Sequence, residues 1–236
     1  MAVDLDGDTD LDLLIDDASE EGSPVEYGAA VWLNNGDGTF QAGERYFHSP
    51  YIGLIDAADV DGDTIPDLVV RHYPEAKVSI QLGFGDGSFG EPVEYETAPR
   101  LQALAVADLD GDSHPDVAVG NDQGVVNVLL NNGDGTLREK VDYDVGGDIM
   151  NIVAVDMDGG DSLDLLFGPA RGGNLGLLAN DGAGAFELAK EYYWKGAWRH
   201  MPQGTFNAAM SPPSQSCTAD EPFLTATVLE SARRSE

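Results

Sequence analysis

Aspartates recur along this chain at alternate positions, a spacing that has few chemical uses. Asp4, Asp6, Asp8 and Asp12 occupy positions 1, 3, 5 and 9 of one short segment. Asp59, Asp61, Asp63 and Asp67 repeat the arrangement, as do Asp108, Asp110, Asp112 and Asp116. A glycine at position 4 (Gly7, Gly62, Gly111) supplies the unusual backbone of a tight turn, which aims alternate side chains at one centre. Carboxylates within about 4 Å of one another repel by several kcal/mol per pair even at an effective dielectric near 20, so such a loop calls for a cation. Several hard oxygen donors, flexibly placed, favour Ca2+ over the rigid, water-retaining octahedron of Mg2+. Position 7 is Asp10, Ile65 or His114, so its backbone carbonyl, common to all three, is the expected ligand.

A solitary Asp-Gly-Asp is ordinarily a solvated turn. Three complete copies in phase make a metal loop the better reading. An EF-hand is excluded, because it needs Gly at position 6 and Glu at position 12 between helices, whereas position 12 here is Ile15, Val70 or Val119 in an apolar run. A fourth copy departs from the pattern: Asp156, Asp158 and Asp164 stay in register, but position 5 is Gly160 and Asp161 is displaced by one. Three calcium sites are therefore expected, with a fourth that is weak or absent.

The elements that position these loops repeat with them. The loops recur at intervals of 55, 49 and 48 residues. Gly36, Gly85, Gly133 and Gly182, each in a Gly-rich turn such as Asn35-Gly-Asp-Gly-Thr-Phe40, step by 49, 48 and 49, and so do Tyr46, Tyr95, Tyr143 and Tyr192. The longer first interval reflects Asp16 to Pro24, read as an acidic surface insertion. Within a copy the pattern is strand, Asp loop, strand, link, strand, Gly-rich turn, strand. Val78-Ser-Ile-Gln-Leu82 alternates with period two, and no copy carries a helical apolar stripe. First strands are small and aliphatic (Leu104 to Ala107, Ile152 to Val155), while fourth strands mix charge with apolar residues, as at Arg138 to Val145, which discourages edge pairing. The fold class is all-β, a β-propeller of four-stranded antiparallel blades. The blades span about 1–47, 51–96, 100–145 and 149–194, within one repeat domain over 1–194. The first blade is truncated at Met1 to Val3, so the chain reads as an incomplete part of a larger propeller, with any signal peptide upstream. Residues 195–236 read as a linker-like tail, in which Phe223 to Leu229 has strand character that would suit ring closure.

With the Asp loop, the apolar strand and the Asn-Gly-Asp-Gly-Thr-Phe turn in place, the sequence resembles the FG-GAP and VCBS repeats of the integrin α-subunit propeller and of many bacterial secreted proteins. The resemblance covers Met1 to about Trp194. It implies that the loop aspartates bind calcium between the first and second strands of a blade. It implies no particular ligand for the module, since propellers build their binding surfaces from variable loops.

Composition narrows the function further. The formal net charge is −31, from 12 Lys and Arg against 43 Asp and Glu, which would repel a phosphate backbone or an anionic membrane surface. No apolar run approaches the roughly 18 residues of a membrane-spanning helix, so neither nucleic acid nor membrane insertion is expected. Cys217 is the only cysteine. The glycines of Leu82 to Gly90 mimic a nucleotide fingerprint, but Pro92 follows too soon and the other copies place a hairpin turn there. The chain contains no Gly-x-Ser-x-Gly, His-Glu-x-x-His or P-loop, and His48, His72, His114 and His200 share no ligand spacing. The phased tyrosines are expected to pack between blades. Tyr192 to His200, aromatic and basic, reads as the last strand and its exit, with a docking segment as the other use. The expected function is a non-catalytic, calcium-binding interaction module, extracellular or at the cell surface, with a protein or carbohydrate partner. A lectin, or a propeller of a polysaccharide lyase-like enzyme, are the alternatives.

Overall fold

A computed structural model describes residues 1–18, 27–49, 55–169 and 173–194. The expectations for the tail, Phe223 to Leu229, Cys217 and the run beyond Trp194 lie outside these residues. Among the described residues, sixteen strands form four sheets. The first holds β1 (Ala2–Val3), β2 (Asp12–Ala18), β3 (Tyr27–Asn34) and β4 (Phe40–Ser49). The second holds β5 (Ile55–Ala58), β6 (Asp67–His72), β7 (Lys77–Gln81) and β8 (Val93–Glu96). In the third are β9 (Leu101–Ala107), β10 (Asp116–Asn121), β11 (Val125–Leu129) and β12 (Val141–Asp144). The fourth contains β13 (Asn151–Val155), β14 (Asp164–Gly168), β15 (Gly173–Asn180) and β16 (Phe186–Trp194). Every pairing is antiparallel and between chain neighbours, so each sheet is a meander and each repeat is one blade.

Alternation along β6, β10 and β14 sends residues to opposite faces, and both faces are buried. Leu68 and Val70 pack toward the first blade with Leu14 and Val31, while Val69 packs toward the third with Val117 and Leu129. Leu165 and Phe167 meet Ala118 and Val128 in the same way. Among the described residues there are thus three apolar layers, one between each successive pair of blades, and no pairing or layer closes the row of four blades. Second strands buried on both faces explain the near-continuous apolar runs, and the charged fourth strands β4, β8, β12 and β16 are the sheet edges.

Tyr46, Tyr95 and Tyr143 pack between blades as expected. Tyr46 meets Phe89 edge to face with centroids 5.4 Å apart, and its hydroxyl accepts the Phe89 N–H at 2.9 Å. Tyr143 repeats the contact with Phe186 at 5.7 Å and 3.2 Å. Tyr95 joins the layer that contains Leu137, which replaces the phenylalanine, and the Tyr95 hydroxyl is buried with no hydrogen-bond partner.

One expectation is corrected. Asp16 and Asp17, read as the start of a surface insertion, belong to β2 and pair with Ala29 and Gly28, with Ala18 opposite Tyr27. Backbone pairing carries this hairpin as far as Ala18 and Tyr27, and the rest of the expected insertion lies outside the described residues.

The first blade also differs in exposure. Phe40 is 40 % exposed, whereas Phe89, Leu137 and Phe186 at the same register are at most 9 %. Trp32 and Ile15 are likewise exposed, where Leu129, Leu178, Val70 and Val119 are buried. The face of the first blade that looks away from the second is uncovered among the described residues.

Candidate metal centre

Each Asp loop joins a first strand to a second, and one hydrogen-bond scheme builds the first three. The position 1 carboxylate spreads its oxygens over two backbone N–H groups, at positions 4 and 6. Gly7 and Thr9 donate to Asp4 at 2.8 and 3.0 Å, Gly62 and Thr64 to Asp59 at 2.8 and 2.9 Å, and Gly111 and Ser113 to Asp108 at 2.7 and 2.9 Å. This geometry puts position 6 in the left-handed region, with φ of 77° at Thr9, 74° at Thr64 and 74° at Ser113. Left-handed backbone is uncommon for any side chain and strained for a β-branched one, so these residues hold it because the carboxylate captures their N–H. Asp6, Asp61 and Asp110 accept the N–H of position 5, and Asp8, Asp63 and Asp112 accept that of position 7.

Position 9 fastens the loop to the blade. Asp67 accepts from Val60 N at 2.7 Å and from Gly83 N, just beyond β7, at 2.8 Å. Asp116 accepts from Leu109 and Asn131, Asp12 from Leu5 and Asn34, and Asp164 from Met157 and Asn180. All four are at most 1 % exposed. Burial pushes the Asp67 and Asp116 carboxyls up to about 6, against the pull of the two N–H donors and with the help of neighbouring loop carboxylates. Burial also raises Asp6 and Asp61, with adjacent aspartates adding to the rise.

The carboxylates converge. One oxygen from each of Asp59, Asp61 and Asp67 lies within 4.8 Å of the others, as do those of Asp108, Asp110 and Asp116. In the first loop the group is Asp4, Asp6 and Asp8, so Asp12 stands apart as a fastener; in the second and third, position 5 (Asp63, Asp112) stands outside the group. The fourth loop brings Asp156, Asp158 and Asp164 within the same 4.8 Å. Its backbone is different: Asp156 accepts from Asp158 and Gly159 with one oxygen, and the left-handed residue at position 6 is missing. Three hard, anionic oxygen donors around one centre suit a calcium ion.

Position 7 varies because its side chain does something else. It lies across the Gly-rich turn of its own blade: a Cβ on Gly133 would fall 2.7 Å from His114 Nε2, and one on Gly36 2.6 Å from Asp10 Oδ2. Ile65 covers Gly85 in the same way. The turns themselves are closed by their own aspartates, for the Thr39 and Thr136 hydroxyls donate to Asp37 and Asp134 at 2.6 and 2.5 Å.

Each of the first three loops is also clamped by the blade that follows. Asn131 Nδ2 donates to Val60 O of the second loop at 2.8 Å and to Pro115 O of its own loop at 3.0 Å. Asn180 does the same to Leu109 O and Leu163 O, at 2.6 and 2.8 Å. Gly83 holds this register in the second blade, which keeps only the backbone bond, Gly87 N to Leu5 O at 3.1 Å, that Gly135 N also makes to Val60 O at 3.2 Å. These asparagines escaped the sequence reading, although their recurrence one residue before the turn motif at Asn34, Asn131 and Asn180 was the available signal.

No curated protein matches the chain. A family model for the FG-GAP-like repeat matches residues 4–70, 59–119 and 108–167. Each match opens on position 1 of one loop and ends in the second strand of the next blade, so the recurring unit straddles the interface that the asparagines clamp. The three spans run without a break over well over half of the chain, which therefore belongs to the FG-GAP-like repeat family.

Proposed function

We propose that this β-propeller-like repeat module is held in shape by calcium at its Asp loops and works outside the cell or at its surface. There it mediates contact with a protein or a glycan, without catalysis of its own. The observation that carries the calcium reading is the convergence of three carboxylate oxygens within 4.8 Å in each of the four Asp loops, from positions 1, 3 and 5 in the first and 1, 3 and 9 in the others. Membership of a repeat family typical of extracellular proteins supports the location, where calcium is plentiful enough for loops with dissociation constants of about 10⁻⁴ to 10⁻³ M. A bound ion would offset the mutual repulsion of these carboxylates, while the chain supplies the donors, the backbone N–H groups that orient them and the clamp from the next blade.

The test is calorimetric titration of the chelator-stripped chain with calcium, paired with thermal melts. Three sites and a higher melting temperature in millimolar calcium are expected, with Asp61→Ala removing one site. Identical melts in EGTA and in calcium would overturn the reading. For the interaction role, cross-linking in a secreted-protein mixture and a glycan array are read together, and turnover of an acidic polysaccharide would replace the non-catalytic reading.

A further inference from the structure

Arg138 sets the third loop apart. It stands just after β11 and its turn, at a register that holds Gln41, Gly90 and Glu187 in the other blades, so only here does that position carry a cation. Its backbone N–H donates to Leu130 O at 2.7 Å, and its Nε donates to Asn132 Oδ1 at 3.2 Å, which together aim the guanidinium back at the loop of its own blade. There Nη1 lies 3.3 Å from Asp110 Oδ2, and Nη2 lies 3.9 Å from Asp112 Oδ2. Asp110 belongs to the converging group with Asp108 and Asp116. Among the described residues no cation pairs with its counterparts Asp6 and Asp61.

We propose that Arg138 is a tethered counter-cation of the third Asp loop, which keeps that loop closed without metal and makes it a weaker calcium site than the second. The inference rests on the calcium reading above. A guanidinium on Asp110 offsets part of the repulsion within the cluster, so the metal-free loop loses less order than its neighbour. The same charge opposes an incoming divalent ion, which has to share Asp110 with the guanidinium or displace it. The second loop, with Gly90 at this register, has no such competitor. Calcium then loads these two blades unevenly: the second loop orders as the ion arrives, whereas the third is already ordered and fills after it.

The experiment follows the position 4 amides of the two loops, Gly62 and Gly111, by heteronuclear NMR of the full chain during a calcium titration at neutral pH, in wild type, Arg138→Met and Arg138→Lys. The Gly111 midpoint is expected at roughly three- to fivefold higher calcium than that of Gly62, the size of an exposed ion pair. Arg138→Met brings the two midpoints together, and Arg138→Lys restores part of the gap. In EGTA, Arg138→Met speeds hydrogen exchange of Gly111 and leaves Gly62 unchanged. Equal midpoints in wild type, or a Gly111 midpoint that ignores Arg138→Met while both amides respond to calcium, overturns this proposal alone. Silence of both amides toward calcium overturns the calcium reading and, with it, the difference in affinity.

Discussion

Aspartates that look alike in the sequence do unlike work in the loops. Asp61 converges with its neighbours and accepts one N–H from Asp63, whereas Asp67 is buried and accepts two, from Val60 and Gly83. Removing Asp67 leaves two buried donors without partners, at about 1–3 kcal/mol each, a loss partly offset by no longer burying a charge. Asp67→Ala should therefore cost about 2 kcal/mol in urea melts in EGTA, and more in calcium, because Asp67 also belongs to the converging group. Asp61→Ala should cost little in EGTA and show its effect only when calcium is added. A second test concerns Asp56 on β5, whose carboxyl burial raises above its ordinary 3.8, while the Ala57 N–H and the Met1 ammonium work the other way. Since the folded state holds this proton more tightly than the unfolded chain, the ionised group weakens the fold at neutral pH and ceases to do so below 3.8. Asp56→Asn should thus be more stable than wild type at pH 7, with an advantage that shrinks on acidification and is gone below the ordinary carboxylate range. Melts of the pair across pH measure that difference, and a constant or growing advantage at low pH would refute the assignment.

At the scale of the element, the blade is a meander whose fourth strand reaches over to the next blade through a tyrosine. The Tyr143 hydroxyl accepts the Phe186 N–H, whereas the buried Tyr95 hydroxyl has no partner. Tyr143→Phe should therefore cost about 1 kcal/mol of unfolding free energy, while Tyr95→Phe should be neutral or stabilising, because it removes an unsatisfied buried group. Equal losses in the two variants would show that the tyrosines act through ring packing alone. The phase of the tyrosines was legible because it shares the period of the loops. That one of them lacks its bond was not, since it depends on how β8 sits against the third blade, where Leu137 stands in for phenylalanine.

Across the whole molecule, stability resides in the three layers between blades, so identical residues at identical register differ in worth. Phe89→Ala and Phe186→Ala should each cost about 3 kcal/mol, and Phe40→Ala about 1 kcal/mol or less, since its ring is 40 % exposed against 8 % and 9 %. Chemical denaturation of the three variants provides the check. The sequence alone determined the all-β class, the number of blades, their period and the candidate loop carboxylates, because a repeat writes its strand alternation and its turn chemistry into every copy. Tertiary structure decided what each copy does with them. Which aspartates converge and which fasten the loop depends on where β3, β7, β11 and β15 end. Which position 7 side chain covers a turn, and which asparagine clamps the loop before it, depends on contacts across 71 residues of chain in the Asn131 and Asn180 bonds. Local pattern carries the strands and turns, since their forces act between near neighbours. Burial and charge pairing act between blades, and only the packed protein brings those partners together.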